Sequence, residues 1–375
     1  MIRGHAEIAG AGIAGLTVGA LLAERGWTVR VHERAGEVRE VGAGIFLKYN
    51  SLSVLDEMGI LPKLTSYGVR LERDQMRDMH GRILQERKLN KSPMWAFTRQ
   101  HLIRTLYEAA VERGVEVVTN SRVVGAKPSG ELVLEDGKTL KADLVIGADG
   151  HRSRVRETLG LTHKFRFKKT FSTRYLIDGR DLQPEPMTTE WWSGRRRIAF
   201  AACAPDKTYV YLACPFDEAD GNDQPLFVES WSRWFPLLTD AFRILEKNKA
   251  VQGPYPRVSV KAWSKGKAVI LGDAASALAP TLGQGAGLAI MNSRALVARL
   301  ERENNLQTAI EKWEQDMKKV TVLTQKWSDR YDWLTRDWPN SLMFVRSAII
   351  HAFGYPFLND RMRVADRWRV VPSQK

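Results

Sequence analysis

The sequence predicts an α/β fold interrupted by a β-rich insertion and completed by a helical C-terminal region. Three observations carry that expectation. A short apolar strand leads into Gly10-Ala11-Gly12-Ile13-Ala14-Gly15, an apolar helix, and a second strand that ends at His32-Glu33. Two further glycine–acid turns, Asp149-Gly150 and Gly272-Asp273, follow apolar strand-like runs on either side of a mainly β middle. From Trp313 onward, Met317, Val320, Leu323, Trp327, Tyr331 and Leu334 recur at helical spacing in a stripe several turns long.

The opening stretch is a G-x-G-x-x-G turn between strand and helix, and each position has a physical role in a dinucleotide site. Gly10 permits the tight turn, Gly12 lets the backbone approach a pyrophosphate, and Gly15 lets helix and strand pack closely. The helix N-terminus offers unpaired N–H groups and the positive end of its dipole to phosphate. Glu33, at the end of the second strand and followed by Arg34, is placed to accept hydrogen bonds from ribose hydroxyls. By itself the unit leaves NAD and FAD both open.

Length and composition set bounds. The 375 residues allow two domains, or one large domain carrying an inserted one. With 44% hydrophobic and 27% charged residues, a sizeable core is expected. Only two cysteines occur, Cys203 and Cys214, which excludes a cysteine-rich disulfide framework. Both sit in apolar strand-like runs and read as buried thiols, a bridge between them being the alternative. The longest apolar runs are too short to span a bilayer, so no membrane helix is expected and a cytoplasmic location is.

The net charge of +14 favours anionic partners, but the basic residues are spread along the chain and not gathered on one recognition element. Nucleic-acid binding is therefore not expected. In residues 164–169 basic and aromatic side chains alternate, which reads as a strand with a solvated basic face or as a landing zone for a phosphorylated cofactor. Further along, Asn50-Ser51 is expected to cap a helix through Met58. Residues 69–89 read as strands outside the nucleotide-binding core, 174–262 as mainly β with a helical run near 227–245, and 267–271 as a buried strand. Neither H-E-x-x-H nor C-x-x-C is present to suggest a metal.

Together with Gly10, Gly12, Gly15 and Glu33, two stretches carry a family resemblance. One runs from Asp143 through Gly147-Ala148-Asp149-Gly150 to Arg156. The other is Gly272-Asp273-Ala274-Ala275, then Pro280 and Gly283-Gln284-Gly285-Ala286-Gly287. Over about residues 5–330 the chain resembles the single-component FAD-dependent aromatic hydroxylases with the para-hydroxybenzoate hydroxylase fold. The resemblance implies a Rossmann-like FAD-binding domain from residues 1–68, 96–173 and 263–330. It implies a substrate-binding domain from 69–95 and 174–262, and a helical tail over 331–375.

It also implies roles. Glu33 binds ribose, Arg39 lies near the path of flavin and nicotinamide, and Arg99 contacts the FAD pyrophosphate. Asp149-Gly150 is shared between FAD and NAD(P)H contacts. Asp273 binds the ribityl chain, and Pro280 with Gly283, Gly285, Ala286 and Gly287 forms the loop beside the isoalloxazine. Asp149 and Asp273 also stand where a helix N-cap is expected, and Arg99 where a solvated first-turn arginine is. Ser276 and Ala286 depart from the family pattern, in which histidine and asparagine are common. No second G-x-G-x-x-G is present for the reductant, so NADH and NADPH are not distinguished.

Within the family, Glu7 to Gly12, Gly42-Ala43-Gly44-Ile45, and Gln284 to Gly287 with Asn292 are similar to the 2-methyl-3-hydroxypyridine-5-carboxylate oxygenase branch. That branch oxygenates and opens a hydroxypyridine ring, and an arginine on one middle-domain strand and a tyrosine on the next contact the substrate. Arg197 and Tyr209 stand at matching spacing. Arg197 is thus expected to hold a substrate carboxylate by a bidentate bond, and Tyr209 to position the ring. The alternatives are a solvated strand end for Arg195-Arg196-Arg197 and a core role for Tyr209.

The implied activity is NAD(P)H- and O2-dependent oxygenation of a small hydroxy- or amino-substituted aromatic or pyridine carboxylate. It proceeds through a flavin C4a-hydroperoxide, in a monomer or homodimer. The competing readings are a monooxygenase of a larger polycyclic substrate and an FAD dehydrogenase on the same fold.

Overall fold

A computed structural model describes residues 2–39, 42–90, 92–362 and 365–368. The strand His5–Ala9 lies inside a six-stranded sheet, with Thr28–His32 on one side and Leu144–Gly147 on the other, all parallel. Glu116–Val118 and Ala268–Ile270 extend it in parallel on the two sides, and Ser264–Lys265 adds a short antiparallel edge. Parallel strands covered on both faces read as unbroken apolar runs. Leu144, Val145, Ile146, Ala268, Val269 and Ile270 are accordingly all fully buried. The helix Ile13–Ala23 is apolar all round because it is enclosed, every residue from Ile13 to Leu22 being buried.

Leu144–Gly147 and Ala268–Ile270 are neighbours in this sheet, so most of the chain between them is an excursion from the core. It builds a seven-stranded sheet in the order Val251–Val260, Thr162–Asp178, Lys207–Pro215, Arg196–Ala204, Met187–Ser193, Arg73–Asp78, Ile83–Lys88. Arg73–Asp78 joins from an earlier part of the chain, parallel to Met187–Ser193. Side chains alternate between the two faces of a strand. Tyr175, Ile177, Trp191, Ile198, Val210 and Leu212 pack in one cluster with the helices Val228–Trp234 and Thr239–Glu246. The intervening residues Arg174, Glu190, Trp192, Arg197, Tyr209 and Tyr211 face a cavity.

Two further elements close that cavity. Gly44–Lys48, Met94–Thr98 and Val69–Leu71 form a small antiparallel sheet, whose Met94 and Ala96 cluster with Ala201, Cys203 and Tyr209 of the large sheet. The helix Leu306–Arg336 starts where Asn305 Oδ1 accepts the Thr308 N–H at 3.1 Å. Its first turns bury Ile310, Trp313 and Met317 in the nucleotide-binding core. Trp313 packs 5.2 Å from the Trp263 ring and donates its indole N–H to the Asn292 carbonyl at 3.1 Å. Its later turns carry Trp327, Tyr331 and Leu334 to the cavity. The C-terminal region continues in the helix Met343–Met362.

Several local expectations change. The helix expected under an Asn50-Ser51 cap spans Tyr49–Glu57, preceded by Lys48 without any side-chain cap. Asn50 is drawn inward, donating to Gln284 Oε1 at 3.3 Å, because burial against the glycine-rich loop outweighs its capping preference. Residues 164–169 do lie in a strand, but Lys164, Phe165, Arg166 and Phe167 are all exposed, so the alternation does not separate a wet face from a dry one. Cys203 and Cys214 are free and buried, with no bridge. Burial pushes the Cys203 thiol up to about 12, which leaves it unreactive near neutral pH. Among the described residues no helix is long and apolar enough to cross a membrane.

Candidate active site

A cavity of about 1090 Å³ lies between the nucleotide-binding core, the small sheet, the open face of the large sheet and the helix Leu306–Arg336. One end is made largely of backbone, from Gly12, Gly150, Gly272, Pro280, Gly283, Gly285 and Ala286, with Asp273 and Arg99 among them. A Cβ on Gly15 would fall on the carbonyl oxygen of Gly10, whereas one on Gly12 meets no protein atom within 4 Å. The first of these glycines makes the helix–strand contact, and the second keeps open the space a pyrophosphate needs.

Glu33 closes the mouth of that turn, its carboxylate accepting the N–H of Ala11 at 3.1 Å and of Ala35 at 3.0 Å. The strand end beneath it is fixed by buried His32, which bonds Glu7 Oε2 at 2.7 Å and Ser121 Oγ at 2.8 Å. Arg99 begins the helix Arg99–Glu112, which Thr98 caps by accepting the His101 N–H at 3.2 Å. The Arg99 side chain runs across Gly42, where any Cβ would collide with its Cδ. That explains the glycine in the connection before Gly44–Lys48.

Asp149 is a helix cap, one of the two roles that its position suggests. Its Oδ2 accepts the N–H groups of Arg154 at 2.7 Å and Val155 at 3.2 Å, so it caps Arg154–Thr158 together with Ser153. Its Oδ1 is buried with no partner among the described residues. Burial raises its pKa, against hydrogen bonds from Ser153 and the backbone. A buried acceptor left without a donor costs about 1–3 kcal/mol, and a ligand hydroxyl at that place would satisfy it. The backbone cradle, the open space over Gly12 and this orphaned carboxylate oxygen fit the cofactor that the sequence pattern implies.

Asp273 opens the short helix Asp273–Ser276 and is exposed to the cavity. His151 lines the same end; burial and the charges of Arg152, Arg156 and Arg34 hold its imidazole below its ordinary range, against Asp273. Arg34 itself is exposed. Arg39 is not brought to the cavity: its side chain is 69% exposed and pairs with Glu37 at 3.0 Å. The adjoining Glu40 and Val41 lie outside the described residues. Gly287 lies within the helix Gly285–Arg302, behind the lining residues Gly285 and Ala286. Ser276 donates its hydroxyl to the Gly272 carbonyl at 3.2 Å.

The other end of the cavity sets the apolar and aromatic Met76, Trp192, Trp327, Leu334 and Ile350 beside the charged Asp74, Arg87 and Arg330. The arginine run Arg195–Arg197 is no solvated strand end. Arg195 bonds the Arg336 carbonyl at 2.9 Å, and Arg196, on the opposite face, pairs with Glu218 and Asp220, both at 2.8 Å. Arg197 faces the cavity, 3% exposed. It donates to Glu190 Oε1 at 3.2 Å, to the Tyr211 hydroxyl at 3.0 Å and to the Tyr255 hydroxyl at 3.4 Å. Burial opposes its charge, but Glu190, Tyr255, Tyr331 and Asp332 hold the guanidinium above its ordinary value.

Arg197 and Tyr209 both line the cavity but do not meet. In the register, Arg197 lies opposite Ala213 and Tyr209 opposite Ala201. Tyr209 packs instead on Phe46, with ring centroids 5.9 Å apart, and over Gly44. Glu190 and Tyr211, two of the cavity residues that engage Arg197, escaped the sequence reading. Their one signal was the alternation Thr188-Glu190-Trp192 and Tyr209-Tyr211, which places side chains on a shared face but does not say which strands pair.

Residues 5–317 match the family model described as FAD binding domain. The chain belongs to that family. It is 35% identical over 388 residues to a putative 2-heptyl-3-hydroxy-4(1H)-quinolone synthase of Rhodococcus erythropolis, covering 97% of this chain and 96% of that protein. It is 26% identical over 393 residues to the 6-hydroxynicotinate 3-monooxygenase of Pseudomonas fluorescens, covering 96% and 98%. Among solved structures, a mutant form of 2-methyl-3-hydroxypyridine-5-carboxylic acid oxygenase superposes with a TM-score of 0.87 at 30% identity over 99% of both chains. Klebsiella pneumoniae HpxO complexed with FAD and uric acid shares the fold, with a TM-score of 0.85 at 20% identity over 96% of each chain. The protein is an FAD-dependent monooxygenase of the aromatic hydroxylase type, with FAD as cofactor and the NAD(P)H use typical of its family.

Proposed function

We propose that this enzyme oxygenates an uncharged hydroxy- or oxo-substituted N-heteroaromatic ring of the 4-quinolone type, with an apolar substituent directed toward Met76, Leu334 and Ile350. The observation that carries this reading is the state of Arg197: the guanidinium expected to hold a substrate carboxylate already holds Glu190. The name of the Rhodococcus erythropolis relative, a quinolone synthase with a heptyl-bearing product, supports the ring and the tail. A pyridine carboxylate is the second reading. Arg174 favours it, since it faces the cavity, donates to Ser172 Oγ at 3.0 Å and enters no ion pair among the described residues.

In this reading the N-terminus of the helix Ile13–Ala23 and Arg99 hold the FAD pyrophosphate, and Glu33 holds the adenosine ribose. Asp149 and Asp273 accept from cofactor hydroxyls, and residues 280–287 lie along the ring system. When bound, FAD accepts hydride from NAD(P)H and activates O2. The chain's own part is to place and desolvate the substrate. Tyr211 accepts a hydrogen bond from Arg197 Nη2, which leaves its own O–H to donate to a ring oxygen and favour the electron-rich, phenolate-like form. Trp192, Trp327 and Tyr331 clamp the ring and exclude water.

Substrate-stimulated NAD(P)H oxidation checks this directly. With 4-hydroxyquinoline, its 2-alkyl derivatives and a set of hydroxypyridine carboxylates, the alkylquinolines are expected to give kcat/KM at least about tenfold higher. Their product should gain the mass of one oxygen atom. Faster turnover of the carboxylates overturns the proposal in favour of the second reading. For the cofactor, Glu33→Ala should weaken FAD about tenfold or more, the worth of a charge-assisted hydrogen bond. Flavin retained per protein after dialysis measures it, and wild-type retention removes Glu33 from the site.

A further inference from the structure

Glu190 is held in place by more than its ion pair. Its Oε1 accepts the Trp192 indole N–H at 2.8 Å as well as Arg197 Nη1, and its Oε2 accepts the Tyr331 hydroxyl at 3.2 Å. These donors come from its own strand, from the neighbouring strand Arg196–Ala204 and from the helix Leu306–Arg336. The carboxylate therefore cannot swing aside without breaking three contacts on three elements. Yet Glu190 is not sealed in the core: its side chain keeps 23% exposure and lines the cavity. The guanidinium behind it has both terminal nitrogens engaged, Nη1 by Glu190 and Nη2 by Tyr211 and Tyr255.

We propose that Glu190 is a specificity-determining residue: it occupies in cis the guanidinium that a substrate carboxylate would need, so that this wall admits uncharged rings and rejects aryl carboxylates. This rests on the reading of the substrate as an uncharged ring. The physics is that of discrimination by repulsion. A ligand carboxylate entering beside Arg197 finds that guanidinium already engaged and sits against a fixed like charge, which penalises it far more than it would an uncharged ring. With Glu190 neutral, the same wall presents a buried guanidinium whose natural partner is a carboxylate.

The test uses the FAD-loaded enzyme and a matched pair of ligands, 4-hydroxyquinoline and 4-hydroxyquinoline-2-carboxylate, titrated by quenching of flavin fluorescence. Wild type is expected to bind the carboxylate about tenfold or more weakly than the neutral ring. Glu190→Gln removes the charge while keeping an acceptor oxygen for the Trp192 indole, and its amide NH2 can donate to the Tyr331 hydroxyl. It should tighten the carboxylate about tenfold and change the neutral ring much less. The gain should vanish when Arg197→Gln is added, because it acts through the guanidinium.

A separate arm needs no substrate: acetate should raise the Tm of Glu190→Ala above its value in chloride at equal ionic strength, and leave wild type unchanged. Equal affinity of wild type for the two ligands overturns the proposal, as does unchanged carboxylate affinity in a fully flavinated Glu190→Gln. Where neither variant retains FAD, the wild-type comparison decides. Failure of the quinolone reading looks different: 4-hydroxyquinoline neither binds nor is turned over by wild type, while acetate still rescues Glu190→Ala.

Discussion

Arg197→Ala is expected to destabilise the FAD-loaded enzyme by about 3–5 kcal/mol, seen as a fall of several degrees in Tm. The reason is what it leaves behind. Glu190 keeps its charge in the cavity wall without its cation, and the hydroxyls of Tyr211 and Tyr255 lose a donor. The loss should be far smaller when both charges leave together, as in Arg197→Met with Glu190→Gln, because a buried pair contributes little net stability while a broken one is strongly unfavourable. A thermal melt of the single and double variants measures this. An Arg197→Ala protein that melts like wild type would show that the ion pair is not the keystone of the wall. The sequence pattern alone led to a different expectation, that this side chain holds a substrate carboxylate.

Gly15→Val is expected to yield protein without FAD, if it folds at all. The added side chain would begin on the Gly10 carbonyl oxygen, so the helix Ile13–Ala23 must lift from the strand His5–Ala9. Leu16, Ala20 and Leu21, all fully buried, would lose their packing with it, and overpacking of this kind costs about 1–3 kcal/mol or more. Gly12→Ala supplies the contrast. Gly12 has φ −85°, ordinary for any residue, and a Cβ there meets no protein atom within 4 Å. The apoprotein should melt normally, and the whole effect should fall on FAD affinity, since the new methyl projects into the space reserved for pyrophosphate. Flavin content and apoprotein Tm, measured side by side, separate the two. Gly12→Ala with full flavin content would refute the assignment of that space.

The cofactor half was legible in the sequence because its chemistry is local. A strand, a glycine turn, a helix N-terminus and a distal acid must follow one another closely, so Gly10 to Glu33 announce themselves. The cavity's substrate wall was legible only in part, because its chemistry depends on register. Glu190 reaches Arg197 because Trp192 lies opposite Arg197 across paired strands, a fact that no spacing along the chain contains. Tyr331 was visible as one member of a helical apolar stripe. The stripe is the same whether its face covers a core, as at Trp313, or a cavity, as at Tyr331. Arg39 shows the converse: a position in a familiar pattern does not decide where a long, exposed side chain goes.

The helix Leu306–Arg336 runs 31 residues, about 46 Å at the usual rise. It is anchored at one end in the nucleotide-binding core and laid at the other across the cavity. Its two halves therefore meet different packing demands. Trp313 and Met317 are packed in the core of the first domain, while Trp327, Tyr331 and Leu334 can be exchanged several turns away without disturbing that anchorage. A lineage could acquire a new aromatic substrate by rewriting the distal half of this one helix together with the sheet face opposite it. A library confined to those positions is the economical place to search for altered selectivity.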